Sequence, residues 1–164
     1  MPYLLDANVF IQAKNLYYGF DFCPAFWDWL AKNNQLQKVF SIDRVLDELK
    51  AGDDELSVWA QKQGEKFFVK PDQSILPVLG KVSNWATSQK YEPVAVNTFL
   101  QVADYYLVVQ ALSKNFTLIT HEVASDTTKK IKLPNICIGL GIKFMSPYQM
   151  LRHENALFIL GHKE

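Results

Sequence analysis

Four acidic residues stand at positions where a folded chain could bring them together. Asp6 directly follows a short apolar run, and Glu122 stands just after another, so both would lie at the carboxyl ends of buried strands. Asp104 opens an apolar helical pattern, and Glu48 flanks the apolar face of another predicted helix. Converging carboxylates repel one another unless a cation neutralises them, and such oxygen donors suit Mg²⁺ or Mn²⁺. These ions activate water and stabilise in-line displacement at phosphorus, so the set predicts metal-dependent hydrolysis.

Each acid also has a purely structural interpretation. Asp104 could cap its helix, Asp6 could end a strand in a turn, and Glu48 could lie on a solvated helix face. Glu122 and Asp126 belong to a polar stretch that is also typical of a solvated loop. The metal-site hypothesis therefore depends on the acids converging, and not on any one of them.

Residues beside the acids are candidates for contacting a substrate. His121 could touch the substrate or donate a proton to the leaving oxygen, or it could simply be hydrogen-bonded at the rim of the site. Lys129, Lys130 and Lys132 form a basic cluster that could bind a phosphodiester or belong to a solvated loop. The candidate substrate contacts are Asn8, Thr120, His121, Asp126, Lys129 and Lys130.

An unusually aromatic segment spans residues 16–22. Bases of single-stranded RNA could stack on its rings. Packing over the first helix and contact with a protein partner are the alternatives.

Short apolar runs alternate with helical patterns along the chain. Buried strands are predicted at 3–5, 67–69, 116–120 and 143–145, residues 38–42 are either a strand or the approach to a helix, and 157–160 could add an edge strand. Helices are predicted at 24–33, 43–50, 53–63, 74–89, 94–100, from 104 onward, at 134–140 and at 147–152. This alternation predicts an α/β fold with a mainly parallel sheet and helices on both faces.

Length and composition predict a single folded domain over residues 1–164. Lysine plus arginine and aspartate plus glutamate number 17 each, so a generally basic nucleic-acid coat is excluded, whereas a local basic patch is not. Cys23 and Cys137 are too few for a disulfide framework and are expected to be buried free thiols. No apolar stretch is long enough to span a membrane and no signal peptide is evident, so we expect a cytoplasmic protein.

Several short motifs, in this order, resemble those of the PIN-domain nucleases. The acidic motifs are YLLDAN at 3–8, VLDEL at 45–49, ADYYLVVQA at 103–111 and LITHE at 118–122, followed by LPNIC at 133–137 and GIKFMSP at 141–147. The resemblance spans roughly residues 2–152. It implies a three-layer α/β/α sandwich and a Mg²⁺- or Mn²⁺-dependent endoribonuclease in which Asp6, Glu48 and Asp104 bind the metal. Many small members are VapC-type toxins that a cognate antitoxin inhibits, and dimers are common, so the resemblance also implies RNA, an antitoxin and a second copy as partners.

The fourth motif departs from the family pattern. It usually carries Thr-x-Asp, whereas this chain has Thr120-His121-Glu122. Glu122 can supply a carboxylate one carbon farther out, and Asp126 could replace it, so the second metal position is the less certain one. A catalytically inactive PIN-like binding module is therefore an alternative. A haloacid-dehalogenase-type phosphatase is another, although Asn8 stands where that family usually has a second Asp.

Overall fold

A five-stranded parallel sheet organises residues 1–161, the part of the chain that the computed structural model describes. The strands are β1 (Tyr3–Leu5), β2 (Val39–Ile42), β3 (Phe68–Val69), β4 (Thr117–Ile119) and β5 (Phe144–Met145). They are arranged in the order β3-β2-β1-β4-β5, and every neighbouring pair is parallel. The three residues of β1 are fully buried, as expected for a central strand covered on both faces.

Helices fill the connections between the strands. They are α1 (Ala7–Gln12), α2 (Pro24–Gln35), α3 (Asp43–Lys50), α4 (Glu55–Gln63), α5 (Leu76–Ser88), α6 (Pro93–Gln101), α7 (Ala103–Lys114), α8 (Leu133–Leu140) and α9 (Pro147–His153). The architecture is the three-layer α/β/α sandwich predicted from the sequence. The segment at 38–42, which the sequence left open, is a strand over most of its length.

Local sequence signals explain where several helices begin and end. Proline stands in the first turn of α2, α5, α6, α8 and α9, where its missing N–H costs no helical hydrogen bond. Ser146 and Gln149 form a reciprocal capping box at the start of α9. Asn115 and Gly141, with φ of 58° and 70°, end α7 and α8 in the left-handed conformation.

The edge strand predicted at 157–160 is wrong. This segment has no regular secondary structure, and β5 is the last strand on its side of the sheet within the described residues. The aromatic ring of Phe158 packs against Tyr18 and Phe26, whereas Leu157, Ile159 and Leu160 are exposed. The apolar run therefore anchors the chain by one side chain and not by backbone pairing.

The order of the strands places a topological switch point at β1. The next strand along the chain, β2, pairs with one side of β1, while the much later β4 pairs with the other. In open α/β sheets, ligands bind beyond the carboxyl ends of the strands at such a point. Asp6 and Thr120 directly follow β1 and β4, so both stand at this position.

A cluster of aromatic rings holds α1 on the sheet. Phe10 of α1 is fully buried, and its ring centroid lies 5.7–6.0 Å from those of Phe67, Phe68 and Trp59. Burial of such large rings contributes strongly to stability and fixes the helix that follows Asp6. No helix in the described part of the chain is long and apolar enough to cross a membrane.

The two cysteines are both free. Cys137 is fully buried in α8, as predicted, and burial raises the pKa of its thiol to about 12. Cys23 is only half-buried, because it precedes α2 at the end of the exposed aromatic segment, so its predicted burial is wrong.

Candidate functional site

Asp6 is a buried carboxylate at the end of the central strand. It occupies the N-cap position of α1, yet its side chain makes no capping hydrogen bond. Its Oδ2 instead accepts a hydrogen bond from Oγ1 of Thr120 at 2.8 Å, and the residue is only 5% exposed. Burial, followed by the charges of Asp104 and Glu122, raises the pKa of Asp6 to about 8 against the opposing effect of the Thr120 hydrogen bond. This carboxyl group is therefore costly to ionise without a nearby cation.

A small hydrogen-bond network ties the ends of β1 and β4 together. Asn8 Nδ2 donates to Oγ1 of Thr120 at 3.3 Å, and Asn8 Oδ1 accepts from the backbone N–H of His121 at 3.2 Å. The backbone N–H of Glu122 also donates to Oγ1 of Thr120, at 3.0 Å. The amide of Asn8 thus uses both its donor and its acceptor, which an ionised carboxylate cannot do. The network fixes the path of residues 120–122 beside Asp6.

Asp104 lies in the first turn of α7. The N-cap of this helix is Val102 and no side chain caps it, so the capping interpretation of Asp104 is wrong. Burial, together with the charges of Glu122 and Glu48, raises the pKa of Asp104 to about 6, and the charge of Lys130 opposes this rise. The charge of Glu122 therefore raises the pKa of both aspartates, and Asp104 itself raises that of Asp6.

Glu122 is held on both carboxylate oxygens. Its side chain is 12% exposed; Oε2 accepts from the backbone N–H of Leu133 at 2.8 Å, and Oε1 accepts from Nζ of Lys130 at 3.1 Å. The solvated-loop interpretation is therefore wrong for Glu122. The ammonium group of Lys130, predicted from the sequence as a phosphate contact, supplies a positive charge inside the acidic group.

The remaining predicted residues lie farther from this centre. Glu48 is exposed on α3 and lines a shallow pocket of about 180 Å³ with Lys14 and Asp54, so it reaches the acids only through its charge. Asp126 is exposed and lines a separate open cavity beside Trp85, as a solvated-loop residue would.

The three lysines of the basic cluster do not all lie near the acids. Lys129 and Lys130 line a pocket of about 230 Å³ that also contains Asp104. Lys132 precedes α8 and does not line this pocket. Two of the three lysines therefore stand where an anion near Asp104 could meet them.

The donor set fits a divalent cation in chemistry and in charge. Asp6, Asp104 and Glu122 offer carboxylate oxygens, which Mg²⁺ and Mn²⁺ prefer, and the two aspartates are short of positive charge. Within residues 1–161, however, no group of three or more His, Cys, Asp or Glu side chains is arranged to hold a metal ion. Each oxygen of Glu122 already accepts one hydrogen bond, so a metal ion there would use a remaining lone pair and would compete with the ammonium group of Lys130 for the carboxylate.

Three aromatic rings cluster at His121, the residue before Glu122. The ring centroid of His121 lies 5.5 Å from that of Tyr17 and 5.6 Å from that of Tyr148, and the two tyrosines are 5.5 Å apart. The aromatic richness of 16–22 indicated Tyr17, but no sequence signal indicated Tyr148 of α9. Burial lowers the pKa of His121, so its ring is neutral at neutral pH.

Comparison with known proteins places the chain in a family without assigning it a function. Searches of curated proteins and of solved structures gave no match. Residues 3–158 match the family described as a domain of unknown function, DUF4411, and the chain belongs to that family.

Proposed function

We propose that this protein is a metal-dependent endoribonuclease that hydrolyses phosphodiester bonds in RNA. The observation that carries the proposal is the buried carboxyl of Asp6, whose pKa is raised to about 8 at the switch point of the sheet. A divalent cation bound there would offset both the burial of Asp6 and the repulsion from Asp104 and Glu122. The resemblance of the acidic motifs to PIN-domain nucleases supports the same chemistry.

Each residue has a distinct role in this proposal. Asp6, Asp104 and Glu122 would hold Mg²⁺ or Mn²⁺, with Glu48 at the rim. The chemistry that such an ion would supply, when bound by these acids, is activation of water and stabilisation of negative charge at phosphorus. The hydroxyl of Thr120 orients Asp6, and the ammonium groups of Lys129 and Lys130 attract the phosphodiester.

His121 fits a substrate contact better than a proton donor. Because burial lowers the pKa of its ring, the neutral form dominates at neutral pH and has little acidity to offer a leaving oxygen. Its half-buried ring next to Glu122 can still contact a bound nucleotide.

The toxin role and the partners are also part of the proposal and rest on the resemblance to VapC-type PIN-domain toxins. A toxin of this class would arrest growth when expressed alone and would be neutralised by a cognate antitoxin. Growth of a bacterial host after induction, with and without the product of the neighbouring reading frame, measures this. Size-exclusion chromatography with light scattering measures whether the chain forms a homodimer.

A second candidate is a PIN-like binding module without activity. It is favoured by one observation: both oxygens of Glu122 are hydrogen-bonded and the described acids form no ready metal site. A phosphatase that uses Asp6 as its nucleophile has less support, because Asn8 donates and accepts hydrogen bonds in a way that an acid at this position could not.

Cleavage of single-stranded RNA with Mn²⁺ tests the proposed function. We expect Asp6→Asn and Asp104→Asn to lower the rate about 100-fold or more, because the ion contributes several kcal/mol to the transition state. Asp28→Asn, an exposed acid on α2, is the matched control and should cleave like the parent. Equal rates for the parent and both site variants, with folding confirmed by circular dichroism, would contradict the proposal.

A further inference from the structure

Two tyrosine rings pack around His121 and have no role in the chemistry described above. We define the aromatic platform as the side chains of Tyr17, His121 and Tyr148, whose ring centroids lie 5.5–5.6 Å from one another. Tyr17 is 42% exposed and the other two are half-buried, so the cluster is open to solvent. The rings of Tyr17 and His121 are tilted by 31°, and Tyr148 meets both edge-to-face. Aromatic clusters of this kind usually complete a core, but this one stands at the surface.

The backbone beneath the aromatic platform is firmly held. The helix that starts at Ala7 continues into a π-helical turn at Ala13–Tyr17, where the N–H of Tyr18 donates to the carbonyl of Ala13 at 2.7 Å. The side chain of Tyr18 turns inward and stacks on Phe26, with 4.4 Å between the centroids. The wider turn therefore packs the half-buried Tyr18 against the core and leaves its neighbour Tyr17 against His121.

The aromatic platform is continuous with the acidic site. His121 is the residue before Glu122, and its backbone N–H is fixed by Asn8 in the network that also orients Asp6. A strand of nucleic acid with a phosphate at the acids would thus bring an adjacent base to the rings. Arg152, one helical turn after Tyr148, is exposed and forms no ion pair with another described residue, so it can meet a neighbouring phosphate.

We infer that the aromatic platform binds a base of single-stranded RNA next to the cleaved phosphodiester. Aromatic side chains bind unpaired bases by stacking, which tolerates any sequence and requires that the base be free of a duplex. The inference rests on the proposed function, and it adds which side chains hold an unpaired base of the substrate.

Binding measured without catalysis tests this inference. The probe is a short fluorescently labelled oligoadenylate, and its affinity for the full chain is measured by fluorescence anisotropy in EDTA and again in Ca²⁺. We expect Tyr17→Ala and Tyr148→Ala each to weaken binding about fivefold or more, because one stacked base contributes at least about 1 kcal/mol. Tyr17→Phe and Tyr148→Phe keep the ring and should bind like the parent.

The controls separate stacking from a general loss of structure. Phe22→Ala removes another exposed ring of the same aromatic segment, outside the platform, and should leave the affinity unchanged. An otherwise identical abasic oligonucleotide should bind the parent and the alanine variants equally weakly. Alanine variants that fold and bind oligoadenylate like the parent, or a parent that binds the abasic probe as tightly, would overturn the inference.

The outcome is distinguishable from that of the cleavage experiment. If the platform variants weaken binding but the parent cleaves no RNA, the base-binding site stands and the nuclease proposal fails. If the parent cleaves RNA and the platform variants bind it unchanged, the nuclease proposal stands and the base-binding site fails.

Discussion

The two ends of the parallel sheet treat their carboxylates in opposite ways. At the amino end, Glu154 accepts a hydrogen bond from the hydroxyl of Tyr3 at 2.7 Å and pairs with Lys38 at 3.4 Å, and these partners lower its pKa. At the carboxyl end, burial and neighbouring acids raise the pKa values of Asp6 and Asp104 to about 8 and about 6. At the amino end the partners of Glu154 stabilise its charged form, whereas at the carboxyl end burial and mutual repulsion oppose ionisation of the acids.

This contrast indicates which end is built for a ligand. An ion pair such as that of Glu154 with Lys38 offers nothing for a further cation to improve. Buried acids that repel one another reduce stability unless a bound partner offsets their charge, and such groups cluster at functional sites.

The largest expected effect on stability is at Asp6. A carboxyl pKa raised on folding contributes stability that is present below about pH 4 and is lost as the pH rises to about 8. In EDTA the free energy of unfolding of the parent should therefore fall across this range. Asp6→Asn removes the titrating group and should be several kcal/mol more stable than the parent at pH 8.5, because each unit of pKa shift corresponds to about 1.4 kcal/mol. Urea unfolding at a series of pH values measures both curves.

Two results would contradict the proposed contrast between the two ends of the sheet. One is a free energy of unfolding of the parent that does not fall over this range, and the other is a free energy of unfolding of Asp6→Asn that equals it at every pH. Asp28→Asn, an exposed acid, serves as the control for the general effect of removing one negative charge.

A smaller effect of opposite sign is expected at the amino end. Tyr3→Phe removes the hydroxyl that donates to Glu154, and it should lower the free energy of unfolding by about 1 kcal/mol at pH 7. Since the pKa of Glu154 is lowered on folding, its contribution is present above its unfolded pKa and disappears as the pH falls. Urea unfolding should therefore show a smaller difference between Tyr3→Phe and the parent at low pH. A difference that grows on acidification would contradict this view of Glu154.

The smallest effect is expected at Lys130. Its ammonium group is largely exposed, so loss of its ion pair with Glu122 in Lys130→Met should cost less than about 1 kcal/mol in EDTA at pH 7. The same change frees one oxygen of Glu122, and we expect Mn²⁺ to stabilise this variant at least as much as the parent. Thermal unfolding with and without Mn²⁺ measures this stabilisation. A Lys130→Met variant whose Tm does not rise with Mn²⁺ would contradict the prediction and show that Mn²⁺ binding needs Lys130.

The sequence predicted which strands and helix carry the acids, because the end of a buried strand can be recognised from its apolar run. Buried runs before Asp6 and before Glu122 locate the carboxyl ends of parallel strands, which must share one edge of the sheet. The helix that carries Asp104 was equally clear from its apolar face. The fold class followed from the alternation of these elements.

Contacts between distant segments could not be predicted in the same way. A helical wheel places Glu48 beside an apolar face but does not show that neighbouring elements leave it exposed. The pairing of Glu122 with Lys130 depends on the path of an irregular segment, and the position of Tyr148 depends on how α9 packs. The prediction of a strand at 157–160 was wrong because a segment that packs one half-buried ring against the core has the same apolar pattern as an edge strand.

Thermal unfolding of the parent and Asp104→Asn, each in EDTA and in Mn²⁺, tests the central claim most directly. If the acids at the carboxyl end of the sheet form a cation site, Mn²⁺ should raise the Tm of the parent by mass action and leave that of Asp104→Asn unchanged. A parent whose Tm does not respond to Mn²⁺, or two proteins that respond equally, would contradict the claim that these carboxylates bind a metal ion.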